Sequence, residues 1–203
     1  MIQAAAPRLI LASASATRRT LLERAGLRFE ARAPGVDEAA IKAAALAEGI
    51  SPADAATLLA EAKAERVARR EPDALVIGCD QLLVCEGRWF DKPESLDAAR
   101  TQLLALRGKR HELVTATVAY RGGERVWGDV TVPRLTMRAF SDTFIDTYLA
   151  LEGEAMLASV GAYRVEGPGI HLFSRIEGEH STILGLPLLP LLGFLRGHGV
   201  LTG

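Results

Sequence analysis

The sequence is poor in features that mark several common protein classes: cysteine, aromatic side chains and long apolar runs. Two cysteines occur in 203 residues, and aromatic residues make up 5% of the chain. This scarcity excludes a disulfide-rich extracellular fold. Cys79 and Cys85 lie in one predicted extended segment and would be roughly 20 Å apart, so they are expected to be free thiols in a reducing compartment. No segment approaches the roughly 20 apolar residues of a membrane span, and no basic region followed by an apolar stretch opens the sequence. We therefore expect a cytoplasmic protein with no membrane partner.

The chain also carries almost no net charge. Its 24 lysines and arginines and 25 acidic residues give a formal net charge of −1. Such a balance provides no general attraction to nucleic acid, so we expect a small anionic ligand bound at a local positive site rather than a polymer. At 49% hydrophobic residues the chain should fold, either around one core or as two lobes that share a cleft.

Several well-known catalytic motifs are missing. The sequence contains no Gly-x-Ser-x-Gly, no Walker loop and no dinucleotide GxGxxG, which argues against a serine hydrolase elbow, a P-loop enzyme and a Rossmann oxidoreductase. The cysteines form no CxxC pair, and the histidines have no zinc-ligand spacing, so each histidine is expected to be structural or exposed.

Apolar periodicity and turn residues predict a mixed α/β sheet with helices on its faces, in a single domain over residues 1–203 with a lobe boundary near Gly108 or Gly153. Strands are predicted over Leu9–Ala12, Leu27–Ala33, Ala74–Val84, Leu113–Tyr120 and Glu124–Leu135, with short glycine-rich strands before the last helix. Helices are predicted before Gly26 and over about Ala39–Glu48, Ser51–Arg70, Ser95–Leu106, Ser141–Leu151 and Leu188–Arg196.

A hydroxyl-rich turn, Ser13–Arg19, joins the first strand to the first helix. Ser13 or Ser15 can cap that helix, and its free N–H groups together with Arg18 and Arg19 would suit phosphate oxygens. The alternative is an ordinary capped helix with two solvated arginines.

Two charged residues interrupt apolar patterns. Asp80 lies inside the apolar strand Ala74–Val84, where it must be paired, protonated or bound to a metal. It either caps a loop or pairs with an arginine, or it is a site carboxylate. Lys63 lies between Leu59 and Val67 on the apolar stripe of its helix, and either snorkels to solvent or meets an anion.

Two further segments have both an ordinary and a functional interpretation. Lys92 precedes Pro93, whose ring favours an extended backbone, and is either a turn residue or a stiff cationic contact. Asp37 and Glu38 either favour the positive end of a helix or, beside phosphates, hold Mg²⁺.

In their order along the chain these segments resemble the Maf family of nucleoside triphosphate pyrophosphatases. The resemblance is carried by Leu9–Arg19, Val36–Glu38, Glu61–Ala64, Ile77–Gln81, Asp91–Pro93, Ser159–Tyr163, Val165–Gly167, Arg175–Gly178 and Ile183–Pro187. Each motif is short, but the ordered set covers nearly the whole chain.

The resemblance implies a Maf/inosine triphosphatase-like fold with a mixed, curved sheet, two lobes around a deep cleft, and a homodimer. It also implies hydrolysis of a nucleoside triphosphate to the monophosphate and pyrophosphate with a divalent cation, Mg²⁺ or Mn²⁺. Asp80 would be the catalytic proton acceptor and, with Glu38, a metal ligand. Carried onto this chain, the phosphate-binding residues would be Ser13, Ser15, Arg18, Arg19, Lys63 and Lys92.

Three positions are relevant to the choice of base in the nucleotide substrate. Gln81 and Glu166 match the members that act on 7-methyl-GTP rather than those that act on dTTP and UTP, whereas Thr17 departs from both types. A carboxylate could accept hydrogen bonds from guanine N–H groups, whereas Thr17 provides no aromatic ring to stack on a methylated base. The rival hypothesis is a nucleotide-binding regulator of septum formation or cell-division arrest without significant catalysis.

Overall fold

Strands and helices alternate along the chain in the computed structural model, which describes residues 2–202. The strands are β1 (Leu9–Ala12), β2 (Glu30–Ala31), β3 (Leu75–Cys85), β4 (Arg88–Phe90), β5 (Arg110–Arg121), β6 (Glu124–Thr131), β7 (Arg134–Met137) and β8 (Phe173–Glu177). The α-helices are α1 (Ala16–Arg24), α2 (Glu38–Ala47), α3 (Pro52–Ala68), α4 (Leu96–Leu106), α5 (Asp142–Glu152), α6 (His180–Ile183) and α7 (Leu188–Gly197). No helix within residues 2–202 combines the length and the apolarity needed to cross a membrane.

The strands form a mixed sheet, which confirms the predicted α/β class. Their hydrogen-bonded order is β2-β1-β3-β5-β7-β8, with β4 on β3 and β6 on β5. β1 runs parallel to β2 and to β3, with Ile10 opposite Val76, whereas β5 pairs antiparallel with both β6 and β7. β1 is buried at every position and β3 at all but two, so both strands are covered on both faces of the sheet.

The chain divides into two compact units. The first unit holds the residues up to Gln81, Thr115–Thr131 and those from Glu179 onward, and the second holds Leu82–Val114 and Val132–Gly178. The predicted boundary near Gly108 or Gly153 is therefore wrong. Two of the boundaries lie inside β3 and β5, where no glycine, proline or change in composition marks them. That the domain is single over 1–203 stays a prediction.

The core of the first unit lies between β1, β3 and α7. Leu11, Ile77 and Leu195 are fully buried there, and Trp127 of β6 stacks on Phe194 with ring centroids 4.9 Å apart. On its other side β3 contacts α3 closely: a Cβ added at Gly78 would lie 2.7 Å from the Cβ of Ala64. Glycine on the strand and alanines on the helix thus fix how near α3 can lie to β3.

Three predicted elements differ from the structure. The strand predicted over Leu27–Ala33 is reduced to Glu30–Ala31. The strand predicted over Glu124–Leu135 is two strands, because Pro133 has no N–H to donate to a ladder. In place of the glycine-rich strands, 3₁₀ helices cover Gly153–Ala158, Val160–Ala162 and Pro168–Leu172, and β8 alone is extended.

Candidate active site

A cluster of three charges, two of them buried, lies in the first unit, between α2, α3 and β3. The Lys63 Nζ atom lies 2.5 Å from Asp80 Oδ1 and 2.8 Å from Glu38 Oε1. Lys63 is 5% exposed and Asp80 4% exposed, whereas the side chain of Glu38 is 45% exposed. Lys63 therefore neither snorkels to solvent nor stands alone, because its charge is matched inside the protein.

Two helix caps and the alternation of side chains on β3 position the three residues of this cluster. Asp37 caps α2 by accepting a hydrogen bond from the backbone N–H of Ala40 at 3.0 Å, which makes Glu38 the first helical residue. Ser51 caps α3, with Pro52 opening the helix, so that Lys63 falls on the face that packs against β3. Gly78 and Asp80 share one face of β3 because side chains alternate along a strand. The close approach at Gly78 therefore carries Lys63 to Asp80.

The second oxygen of Asp80 is the unusual atom of the cluster. Asp80 Oδ2 is buried and has no hydrogen-bond partner within residues 2–202. Buried polar atoms are nearly always paired, so an unpaired carboxylate oxygen points to a group that is supplied from outside the chain. Two carboxylates with such an oxygen suit a hard divalent cation, which protein sites hold through one or two carboxylates plus phosphate oxygens and water. No larger group of His, Cys, Asp and Glu suited to a metal occurs in the described chain.

The turn after β1 has the predicted cap, and it is Ser15 that provides it. Ser15 Oγ accepts a hydrogen bond from the Arg18 backbone N–H at 3.3 Å, and Ser13 Oγ accepts one from Ser15 N–H at 3.2 Å. The guanidinium of Arg18 donates from Nε to the Gly185 carbonyl at 2.7 Å and from Nη1 to the Cys79 carbonyl at 2.8 Å. Arg18 therefore ties the turn to β3 and to the 185 segment, a role that the sequence did not suggest.

The opposite face of β3 carries a second set of polar contacts. Gln81 donates from Nε2 to Thr115 Oγ1 at 2.8 Å and to the Thr182 carbonyl at 2.9 Å. The thiol of Cys79 donates to the Gly185 carbonyl at 3.0 Å, and burial raises its pKa. Thr115 and Thr182 are fully buried. Both threonines were missed by sequence reasoning, because contacts over 34 and 101 residues leave no local signal.

The remaining predicted site residues are not part of these two clusters. In α1, Thr17 is half-buried and Arg19 exposed. In the second unit, Lys92 is exposed, and exposed Glu166 accepts a hydrogen bond from Arg164 Nε at 3.4 Å. The phosphate and base roles of all four residues stay predictions.

One histidine is deeply buried, in the second unit. His111 Nε2 lies 2.8 Å from the hydroxyl oxygen of Tyr163, and His111 is 1% exposed. Burial lowers the pKa of His111 to about 4 and raises that of Tyr163. The pair is therefore neutral at pH 7, and its position in the apolar core fits the structural role expected of histidines in this chain.

Comparison with known proteins finds a matching family model and several similar proteins. The family model described as Maf-like protein matches residues 8–198. A protein of Granulibacter bethesdensis named nucleoside triphosphate pyrophosphatase is 58% identical over 195 residues, covering 96% of this chain and 99% of the relative. One of Rhodospirillum rubrum with the same name is 52% identical, covering 98% and 99%. A Rhizobium meliloti protein named 7-methyl-GTP pyrophosphatase is 53% identical, covering 96% and 98%.

Proposed function

The chain belongs to the Maf-like protein family, and we propose that it hydrolyses a nucleoside triphosphate to the monophosphate and pyrophosphate. The observation that carries the proposal is the Glu38–Lys63–Asp80 cluster, with its buried Lys63–Asp80 pair and its unpartnered oxygen, Asp80 Oδ2. Burying the charges of Lys63 and Asp80 is costly for stability, and removing one partner of a buried ion pair typically costs about 3–5 kcal/mol. Such a cluster is accounted for by chemistry better than by folding, and the names of the close relatives state that chemistry.

Asp80 is the proposed catalytic residue. Its unpartnered Oδ2 would orient a water molecule, or accept its proton, for in-line attack at the α-phosphorus. Lys63 contacts the other oxygen, Oδ1, so Oδ2 is the oxygen of Asp80 that has no partner within the described chain. Glu38 and Asp80 would hold a divalent cation, Mg²⁺ or Mn²⁺, which supplies positive charge for the phosphate oxygens.

The triphosphate would be bound by groups of the opposite charge. The N-terminal turn of α1 is the positive end of the helix dipole and has no acidic residue, and Ser13 and Ser15 lie directly before it. Arg18, Arg19 and Lys63 supply positive charge in the same unit, and Lys92 is assigned to phosphate by the family resemblance. These groups neutralise the leaving pyrophosphate and position the α-phosphorus.

The proposed base is a purine with N–H donors, 7-methylguanine being the first candidate. Gln81 uses its amide nitrogen twice within the protein, so its carbonyl Oε1 is the atom that it can offer to a base. That oxygen, like the carboxylate of Glu166, accepts hydrogen bonds. An acceptor of this kind favours a base edge that donates, such as guanine N1–H with its exocyclic amine.

The test is a substrate panel with product identification. UTP, dTTP, CTP, GTP and 7-methyl-GTP are each incubated with Mg²⁺, with Mn²⁺ and without metal, and products are separated by ion-exchange chromatography. We expect monophosphate and pyrophosphate, only with metal, and fastest from 7-methyl-GTP. Release of orthophosphate and a diphosphate would reject attack at the α-phosphorus, and turnover of none of the five would reject the function.

Assembly and location complete the proposal. We propose a homodimer. The test is the molar mass of the protein, measured by light scattering as the protein elutes from a size-exclusion column. A cytoplasmic location is supported by two buried cysteines that are both free thiols.

A further inference from the structure

The position between Glu38 and Asp80 is already filled by a cation that belongs to the protein. The Lys63 ammonium group contacts one oxygen of each carboxylate, at 2.8 Å and 2.5 Å. Because Lys63 and Asp80 are both almost fully buried, bulk water does not screen this contact as it would a surface pair. With Lys63 in place the cluster carries a net charge of −1 rather than −2.

We propose that Lys63 is an internal counter-cation that excludes divalent cations from the Glu38–Asp80 pair until a polyphosphate draws its ammonium group away. The inference rests on the proposed function, since it takes both carboxylates as ligands of one divalent cation. It adds a coupling: cation and nucleotide bind cooperatively, and Lys63 is the residue that couples them.

Geometry supports competition between Lys63 and a cation. Asp80 Oδ2 has no partner within the described chain, but a cation held there alone would have a single protein oxygen and would remain beside the Lys63 charge. Like charges a few ångströms apart repel strongly where water is excluded. Both carboxylates can therefore serve one cation only after Lys63 has moved.

A polyphosphate supplies the reason for Lys63 to move. Its oxygens give the ammonium group new anionic partners, and the long lysine side chain can change partners by rotamer changes alone. Asp80 then loses its buried counter-charge, and Glu38 loses its contact with Lys63. By linkage, if the nucleotide raises the affinity for the cation, the cation raises the affinity for the nucleotide by the same factor.

The experiment measures Mn²⁺ binding to metal-stripped protein without nucleotide, from the electron paramagnetic resonance signal of free Mn²⁺. Lys63→Gln removes the charge but keeps an N–H donor for Asp80, and Lys63→Arg keeps the charge as the matched control. We expect K63Q to bind Mn²⁺ roughly tenfold or more tightly than wild type, and K63R to bind it as weakly as wild type. Equal or weaker binding by K63Q would overturn the inference.

A second arm uses the wild-type protein, so the inference stays testable if K63Q does not fold by circular dichroism. Mn²⁺ affinity is measured with and without a non-hydrolysable triphosphate analogue, and Mn²⁺ bound by the analogue alone is subtracted. We expect affinity to rise roughly tenfold with the analogue, and no rise would overturn the inference.

Failure of the inference is distinct from failure of the proposed function. Wild-type enzyme that releases pyrophosphate with metal, while K63Q shows no gain in Mn²⁺ affinity, rejects the coupling and leaves the function intact. Absence of hydrolysis with every triphosphate rejects the function, whatever the Mn²⁺ titrations give.

Discussion

Replacing Gly78 by alanine should damage both stability and activity, because this glycine sets the distance between β3 and α3. The added Cβ would lie 2.7 Å from the Ala64 Cβ and 3.0 Å from the Ala64 backbone nitrogen, and it would also collide with the Ala60 carbonyl. Carbon atoms rest at about 3.5–4.0 Å, so α3 must retreat by about 1 Å. Overpacking of this kind costs about 1–3 kcal/mol. Because main-chain atoms block the way, we expect the upper end, about 3 kcal/mol.

The loss is measurable in two ways. For a chain of this size 3 kcal/mol lowers the Tm by roughly 6–12 °C, which calorimetry detects. Lys63 directly precedes Ala64, so a shift of α3 by about 1 Å also changes the position from which Lys63 reaches Asp80 and the phosphate, and kcat should fall roughly a hundredfold.

Gly193 offers a matched control on another helix. A Cβ added there has no heavy atom within 4 Å, and the residue lies inside α7. Gly193→Ala should therefore raise stability by about 0.5–1 kcal/mol and leave activity unchanged. If G78A unfolded at the wild-type temperature and kept its activity, the close approach of β3 and α3 would not be what positions the cluster.

Three smaller perturbations test other parts of the structure. Arg18→Lys keeps the charge but cannot bridge the Gly185 and Cys79 carbonyls, so urea unfolding should show a loss of about 2 kcal/mol; an unchanged midpoint would refute the bridge. Ser15→Ala removes the cap of α1 and should cost about 1 kcal/mol in the same assay, a result that a stability equal to wild type would contradict. His111 is neutral when folded, with its pKa lowered to about 4 from 6.5, so the unfolded chain binds more protons between these values and stability falls as the pH drops through this window. Wild type should lose roughly 2 kcal/mol more than His111→Gln between pH 7 and pH 5, and an identical loss in both proteins would show that His111 does not titrate in this way.

Sequence reasoning located the charged residues of the site but not their pairing. Lys63 was noticeable because it interrupts an apolar stripe, and Asp80 because it interrupts an apolar strand. For each residue the sequence suggests a separate partner: an arginine or a metal for Asp80, and an anion for Lys63. That the two anomalies satisfy each other follows from the packing of α3 on β3, for which the only signal in the sequence is Gly78 opposite small alanines.

Helix ends were predictable to within two residues, because they depend on local chemistry. Ser51, Ser95 and Ser141 each cap the helix that the sequence predicts at that position. Extended segments were less predictable, since a strand needs a neighbouring strand to pair with. Of Leu27–Ala33, only Glu30 and Ala31 pair with β1. In the segment after Gly153, local i→i+3 hydrogen bonds replace strand pairing, a choice that composition does not reveal.

The most direct test of the account is pyrophosphate release by Asp80→Asn, measured on the best substrate with saturating metal. The substitution keeps the shape of the side chain and removes its charge, and Asp73→Asn, at an exposed turn before β3, is the matched control. We predict a fall of roughly a hundredfold or more for D80N, in a protein that folds by circular dichroism, and wild-type rates for D73N. Folded D80N that releases pyrophosphate within a few-fold of wild type would contradict the assignment of this cluster as the active site.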